Sequence, residues 1–402
     1  MGKTKLNRFF SNYLDRVPLI IKKQYLQNNY SPKKLLHRDD QMEQLASILA
    51  PALRGEKPSN VFLYGKTGTG KTAVTNHVLE EIGQVNEKKK VRLVSYYLNC
   101  KLKRVADTEY RILAQLAREF GTDVPATGLP TDEVYRLFVQ AVESKRKVVI
   151  LVLDEIDQLV KKAGDEILYN LTRLNAELSE SQISVIGISN DLTFADNLDP
   201  RVKSSLSEEE LIFAPYNALQ LQDILRERAK VAFSKTALEQ GVIEKCAAYT
   251  AREHGDARRA IELLRVAGEL AERTGEKSLS VTYIDQAEEK IERDRIFDIV
   301  GSQPKQFQAT LFSIFDLCNR KVKPIFTGEV YEIYTTICES VGLSPLTQRR
   351  VSDIIAELDM LGIINARVVS KGRYGRTREI GLAIPSTTLP KINVSLKEGL
   401  GL

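Results

Sequence analysis

The chain has 402 residues, enough for two or three domains, and its 43% hydrophobic content excludes a disordered tail protein. The net charge of +5 and pI of about 8.8 are too mildly basic to establish a nucleic-acid partner. Four Cys without Cys-x-x-Cys spacing, and three His, argue against a disulfide scaffold, a zinc site or a His-based metal enzyme.

Residues 1 to about 30 are basic and aromatic and lack the apolar core of a signal peptide. No stretch anywhere approaches the roughly 18 apolar residues of a membrane span, so a soluble, intracellular protein without a membrane partner is expected. Residues 31–38 form a loop entering a helix over 39–54, where Met42, Leu45, Ala46, Ile48 and Leu49 recur at helical spacing. A short apolar strand (60–64) runs into glycines, and a helix follows from Lys71 to about Ile82. Then come a β-branched strand (91–98), helices over 108–120 and 132–144, and a fully apolar strand (148–153) buried on both faces. A helix (165–178) and a strand (183–188) complete the series. Strands alternating with helices predict a parallel sheet covered on both faces. Near Phe213 the alternation stops. Residues 218 to about 293 read as helix in several pieces, and a third unit begins near Gly301. The expected domains are 1–217, 218–300 and 301–402.

Gly65-Lys66-Thr67-Gly68-Thr69-Gly70-Lys71-Thr72 fits G-x-x-x-x-G-K-[ST] at every fixed position, with a strand before it and a helix after it. Glycines let the backbone N–H groups wrap a phosphate, and the helix N-terminus adds positive potential. Lys71 would reach the β- and γ-phosphates and the Thr72 hydroxyl would ligate Mg²⁺. Strand 148–153 ends in Asp154-Glu155, at the sheet end where α/β proteins bind ligands. Asp154 is expected to hold Mg²⁺ through water, and Glu155 to orient and deprotonate the attacking water. Strand 183–188 ends in Ser189-Asn190-Asp191, where a polar residue could touch the γ-phosphate or the attacking water. Gly255-Asp-Ala-Arg-Arg opens a later helix, and a cation there could swing onto the nucleotide. Taken alone, a capping loop or a solvated basic face accounts better for each.

The order GKTGTGKT, LVLDEID, GISND, LDPRVKSSL, GDARRAIELLR resembles the AAA+ ATPases. Within them it is similar to the archaeal origin-recognition and replication-initiator family, relatives of the eukaryotic origin recognition complex and its helicase-loading partner. The likeness runs from about Ser31 to Ala383. It implies an α/β fold: an AAA+ P-loop parallel-sheet base, an all-α lid and a C-terminal winged-helix domain. It implies ATP or ADP with Mg²⁺ as cofactors, and slow hydrolysis of ATP used as a switch. It makes Asn190 the first sensor, Arg258 the second sensor, and Arg201 a candidate arginine finger acting on a neighbour's nucleotide. Residues 32–38, including Leu36, His37 and Arg38, match the segment closing over the adenine, and Tyr216 joins the nucleotide-binding set. Lys101, Lys103 and Arg104 stand where such initiators carry a helical insertion touching the DNA backbone. Their charge fits an ordinary solvated surface equally well.

The last unit reads as helices over 304–318 and 328–341, then a third after Ser344. The third buries Val351, Ile354, Ile355, Leu358 and Leu361 along one stripe. Strands 363–370 and 376–384 follow, so three helices and a hairpin make a winged helix. Residues 301–402 hold 13 basic and 9 acidic residues, which is nearly all of the chain's excess charge. The basic wing (Lys371, Gly372, Arg373, Tyr374, Arg376, Arg378) suits phosphate contact and minor-groove insertion, and Gln348, Arg349 and Arg350 suit the major groove.

The leading reading is an ATP-dependent protein that binds double-stranded DNA at replication origins and recruits the replicative helicase, with other initiator copies as partners. The alternatives are an ATP-regulated transcriptional or signalling switch and an AAA+ DNA motor.

Overall fold

The computed structural model describes residues 17–27, 30–32, 34–101, 108–125, 127–145, 147–206, 208–370, 376–384 and 389–402, with 195, 370 and 376 by backbone alone. They form two compact units, Met1–Ile284 and Asp285–Leu402.

The first unit contains a five-stranded parallel sheet in the order β2-β3-β4-β1-β5. Its strands are β1 (Val61–Tyr64), β2 (Leu93–Asn99), β3 (Val148–Asp154), β4 (Gln182–Ser189) and β5 (Glu209–Ile212). The helices of this base are α1 (Asp39–Leu49), α2 (Lys71–Lys89), α3 (Glu109–Glu119), α4 (Thr131–Glu143), α5 (Ile156–Ala163), α6 (Glu166–Arg173) and α7 (Pro200–Leu206). Alternation along β3 separates two cores. Val149, Leu151 and Leu153 face α3 to α7 through Ile112, Phe138, Leu171 and Val202, whereas Val148, Ile150 and Val152 face α1 and α2 through Leu45, Val74 and Val78. Every β3 residue is buried, as a central strand covered on both sides requires.

Four features depart from the sequence reading. The fifth strand was not expected, because Glu209-Glu-Leu-Ile carries only four residues and exposes three; pairing with β1 creates it. The helix expected over 165–178 is α6, which ends at Arg173 in a 3-10 turn. Helices α5 and α7 form in stretches to which the sequence reading assigns no element. Helix α2 runs to Lys89 rather than Ile82, closing on a left-handed Lys90.

The lid follows: α8 (Ala218–Ala232), α9 (Val242–Glu253) and α10 (Ala257–Thr274), with α11 (Val281–Ser302) beginning in this unit. Asn217 and Gln220 close a reciprocal capping box at the start of α8. Residues 17–27 strap onto this lid. Ile21 N donates to Ala232 O at 2.7 Å, Ser234 N to Leu19 O at 3.0 Å, and Ile20 N to Glu272 Oε1 at 2.9 Å.

The second unit packs α12 (Lys305–Asn319), α13 (Thr327–Ser340) and α14 (Gln348–Met360) on a three-stranded sheet. Its antiparallel order is β6-β8-β7, with β6 (Ile325–Phe326), β7 (Ile364–Ser370) and β8 (Arg376–Leu382). Val351, Ile354, Ile355 and Leu358 enter the core from α14, the expected stripe, while Leu361 is only partly buried beside it. Beyond expectation, α15 (Leu389–Leu400) adds Ile392, Leu396 and Leu400; Pro390 obscured it in the sequence, although a first-turn proline is compatible with a helix. Among the described residues, no helix is long and apolar enough to cross a membrane.

Candidate functional site

The ends of three strands assemble the site. Register pairs Tyr64 with Ser189 and Asp154 with Ile188, so the loop after β1, the acidic end of β3 and Asn190 after β4 meet at one edge. The loop's conformation depends on glycine: Gly68 has φ +72°, and Gly70 has φ +96° where it caps α2. Lys71 folds back under the loop. Its Nζ donates to Gly65 O at 2.7 Å, Lys66 O at 2.9 Å and Asn190 Oδ1 at 2.9 Å. Burial pushes the Lys71 ammonium down to about 8. Asp154 opposes that shift, and the Arg258 charge adds to it.

Thr72 Oγ1 donates to Asp154 Oδ2 at 2.8 Å, and Glu155 N donates to Asp154 Oδ1 at 2.8 Å. Glu155 itself sits at φ +55°, a left-handed backbone costing a non-glycine residue roughly 1 kcal/mol. Its carboxylate lies 3.4 Å from Lys101 Nζ. The Thr72 hydroxyl and Asp154 carboxylate are hard oxygen donors held together, which fits a Mg²⁺ bound through one carboxylate and a nucleotide's phosphates. The described residues hold no cluster of three or more acidic, His or Cys ligands, so the fit is to a metal arriving with phosphate rather than to a protein cage.

A cleft of about 500 Å³ opens above these groups, between the base and the lid. Gly68, Gly70, Lys71, Thr72, Asp154, Glu155, Asn190, Tyr216 and Arg258 line it, as does Leu36. Gly65, Lys66, Thr67 and Thr69 form the loop around it. His37 and Arg38 do not line it. His37 Nε2 lies 3.0 Å from Asp223 Oδ2 of the lid. Arg38, 5% exposed, grips the loop from behind: Nε donates to Thr69 O at 2.8 Å and Nη2 to Ala214 O at 2.6 Å, with its guanidinium 3.9 Å from the Tyr216 ring centroid. Arg201 is also outside the cleft, exposed and held on both oxygens of Asp199 at 3.1 and 3.2 Å.

Sequence reasoning missed five contributors. Tyr97 Oη donates to Asp154 Oδ2 at 2.6 Å. Asp256 caps α10, accepting from Arg258 N at 2.7 Å and Arg259 N at 3.2 Å, and its carboxylate fills the space beside Gly68. Tyr25 and Tyr30, with rings 4.6 Å apart, and Arg228, 4.5 Å from the Tyr30 ring, wall the far side. An Asp before an apolar helix is a readable N-cap signal. The tyrosines carry none.

In the second unit, Gln348, Arg349 and Arg350 are exposed on the first turn of α14. Arg350 lies 3.8 Å from Asp353 and 3.9 Å from Glu357. Arg378 is half-buried opposite Val368. Lys371, Gly372, Arg373 and Tyr374, the Arg376 side chain, and Lys103 and Arg104 lie outside the described residues.

Three protein-family models match the chain: an AAA ATPase domain over residues 34–186, a Cdc6 AAA+ ATPase-type lid domain over 222–289, and a CDC6 C-terminal winged helix domain over 298–391. The ORC1-type DNA replication protein 1 of Methanosarcina mazei is 51% identical over 389 residues, covering 96% of this chain and 93% of its own. This chain belongs to the ORC1-type family of DNA replication proteins. The ORC1-type protein of Pyrococcus furiosus is similarly related, 52% identical over 95% of this chain and 91% of its own. The structure of Aeropyrum pernix ORC1 in complex with DNA superposes with a TM-score of 0.83 at 46% identity, covering 94% of this chain and 97% of that one. The ORC1-type chain is thus an AAA+ ATPase with a Cdc6-type lid and winged helix, as its motifs implied.

Proposed function

We propose that this initiator binds ATP or ADP with Mg²⁺ in the base–lid cleft and uses slow hydrolysis as a switch on its grip of duplex DNA at replication origins. One observation carries the nucleotide reading: Lys71, Thr72, Asp154, Asn190 and Arg258 converge on a single cleft at the phosphate loop. In this reading the loop N–H groups of 65–72 and Lys71 hold the β- and γ-phosphates. Leu36 and Tyr216 border the base and sugar, while His37 and Arg38 set the segment's position. Thr72 and Asp154 hold Mg²⁺, which when bound neutralises developing phosphate charge. Glu155 takes a proton from the attacking water, Asn190 orients that water, and Arg258 reports the γ-phosphate to the lid. Arg201, exposed and preset by Asp199, suits action on a neighbouring copy's nucleotide.

DNA is held by Gln348, Arg349 and Arg350 in the major groove and by the wing residues 371–378, with Lys101, Lys103 and Arg104 on the backbone. The relative from Aeropyrum pernix, whose structure is a complex with DNA, supports this reading. We further propose recruitment of the replicative helicase, an intracellular location at the nucleoid, and functional divisions at 217/218 and 300/301.

The test is selection of duplexes from sheared genomic DNA by protein loaded with ADP or an ATP analogue. Enrichment of a few sites beside replication starts is expected. Enrichment of promoters, or of bulk DNA alone, would overturn origin recognition. Lys71→Ala should lose nucleotide binding, and normal affinity in that variant would sink the cleft assignment.

A further inference from the structure

We infer that Tyr97 is a positioning residue for the Mg²⁺ site, holding Asp154 in its metal-ready orientation before any nucleotide arrives. This rests on the nucleotide reading above. A carboxylate offers about four lone-pair positions. Asp154 has three of them filled: Oδ2 accepts from Thr72 Oγ1 at 2.8 Å and from Tyr97 Oη at 2.6 Å, and Oδ1 accepts from Glu155 N at 2.8 Å. The remaining position, on Oδ1, is left for a metal-bound water. Because Thr72 spends its proton on Asp154, its own lone pairs stay free for a hard cation.

The placement follows from strand geometry. β2 pairs with β3 so that Asn99 lies opposite Asp154, and Tyr97, two residues earlier, shares Asn99's face. Its neighbour Tyr96 points the other way and packs against the core. Tyr97 is 44% exposed, one of the exposed large apolar side chains among the described residues, so burial of its ring does not account for its position. A phenol on an edge strand is ordinarily solvated. Here it makes a short, charge-assisted bond to the Asp154 carboxylate, which also accepts from Thr72 at the end of the phosphate loop.

The ring of Tyr97 also lines the cleft, but its hydroxyl, the single donor, is committed to Asp154, so removal of the hydroxyl alone acts on metal affinity. Removing an outer partner of a metal site typically weakens the metal on the order of tenfold or more. The experiment uses the full chain stripped of nucleotide, with a fluorescent ADP analogue titrated in EDTA and Mg²⁺ then titrated into the complex. Failure of the unaltered chain to bind the analogue would sink the cleft reading itself. Given binding, Tyr97→Phe is expected to keep the metal-free affinity and the melting temperature and to need about tenfold more Mg²⁺. Equal Mg²⁺ affinity would overturn the inference. Tighter Mg²⁺ binding would overturn it too, by making Tyr97 a competitor of the metal's water. A parallel loss of both affinities would mark a merely structural residue and likewise reject the proposal.

Discussion

The contact between Gly68 and Asp256 joins the phosphate loop to the lid, and its energetics can be isolated by a double-mutant cycle. A Cβ on Gly68 would lie 1.6 Å from Asp256 Oδ1 and 2.1 Å from its Cγ, at a backbone φ of +72°. Gly68→Ala therefore carries a left-handed penalty of about 1 kcal/mol and also expels the Asp256 carboxylate. Expulsion removes the cap on α10, worth about 1 kcal/mol. It also strains the Ala257 N to Gly68 O bond of 3.2 Å, worth about 1 kcal/mol. The single variant should lose about 3 kcal/mol in sum. Asp256→Ala alone should lose about 1 kcal/mol as the cap disappears, and Asp256→Asn, which keeps the accepting oxygen, almost nothing. All three nearest neighbours of the added Cβ are Asp256 side-chain atoms, so in the double variant the collision vanishes. The two losses should then fall short of additivity by about 2 kcal/mol, because the shared cap is lost only once and the strain on the Ala257–Gly68 bond is relieved. Denaturant unfolding of the four chains measures this, with ADP affinity followed in parallel. Additivity within about 0.5 kcal/mol would refute the claimed contact.

Three further outcomes are expected. Nucleotide affinity should fall as pH rises through about 8, because the free protein's Lys71 loses the proton that phosphate requires, and Lys71→Arg should flatten that profile; a flat profile in the unaltered chain counts against the buried ammonium. Glu155→Gln should bind ATP normally and hydrolyse it on the order of 10²-fold or more slower, and an unchanged single-turnover rate would remove Glu155 from its role. Arg349→Ala should weaken binding to a selected duplex by about 1–3 kcal/mol and relax its sequence preference, and more than Arg350→Ala, since Arg350 lies near Asp353 and Glu357; equal losses would reject that ordering.

The nucleotide machinery was legible because each of its parts is local. The phosphate loop is eight consecutive residues, and the acidic pair ends an unbroken apolar strand. What the sequence hid depends on distant pairing. Tyr97 reads as ordinary strand propensity until the β2–β3 register sets it beside Asp154. Arg38 reads as part of an adenine segment until tertiary contact turns it onto Thr69 O and Ala214 O. β5 has too few apolar residues to show a period and exists by virtue of β1. In the second unit the α14 stripe was readable from its spacing, whereas α15 was masked by Pro390.

The strap of residues 17–27 bears on how the lid moves. A lid joined to its base only through the stretch before α8 would swing like a flail, in any direction. Here the chain also runs from the lid surface, at Leu19 to Lys22, back towards α1 of the base, with Arg228 bonded to the carbonyls of Tyr25 and Tyr30. Two attachments make a door on two hinges. A second covalent mount removes rotations that a single one would leave open. Fewer lid orientations are then left for a nucleotide to choose among, and fewer for whatever reads the lid from outside to tell apart.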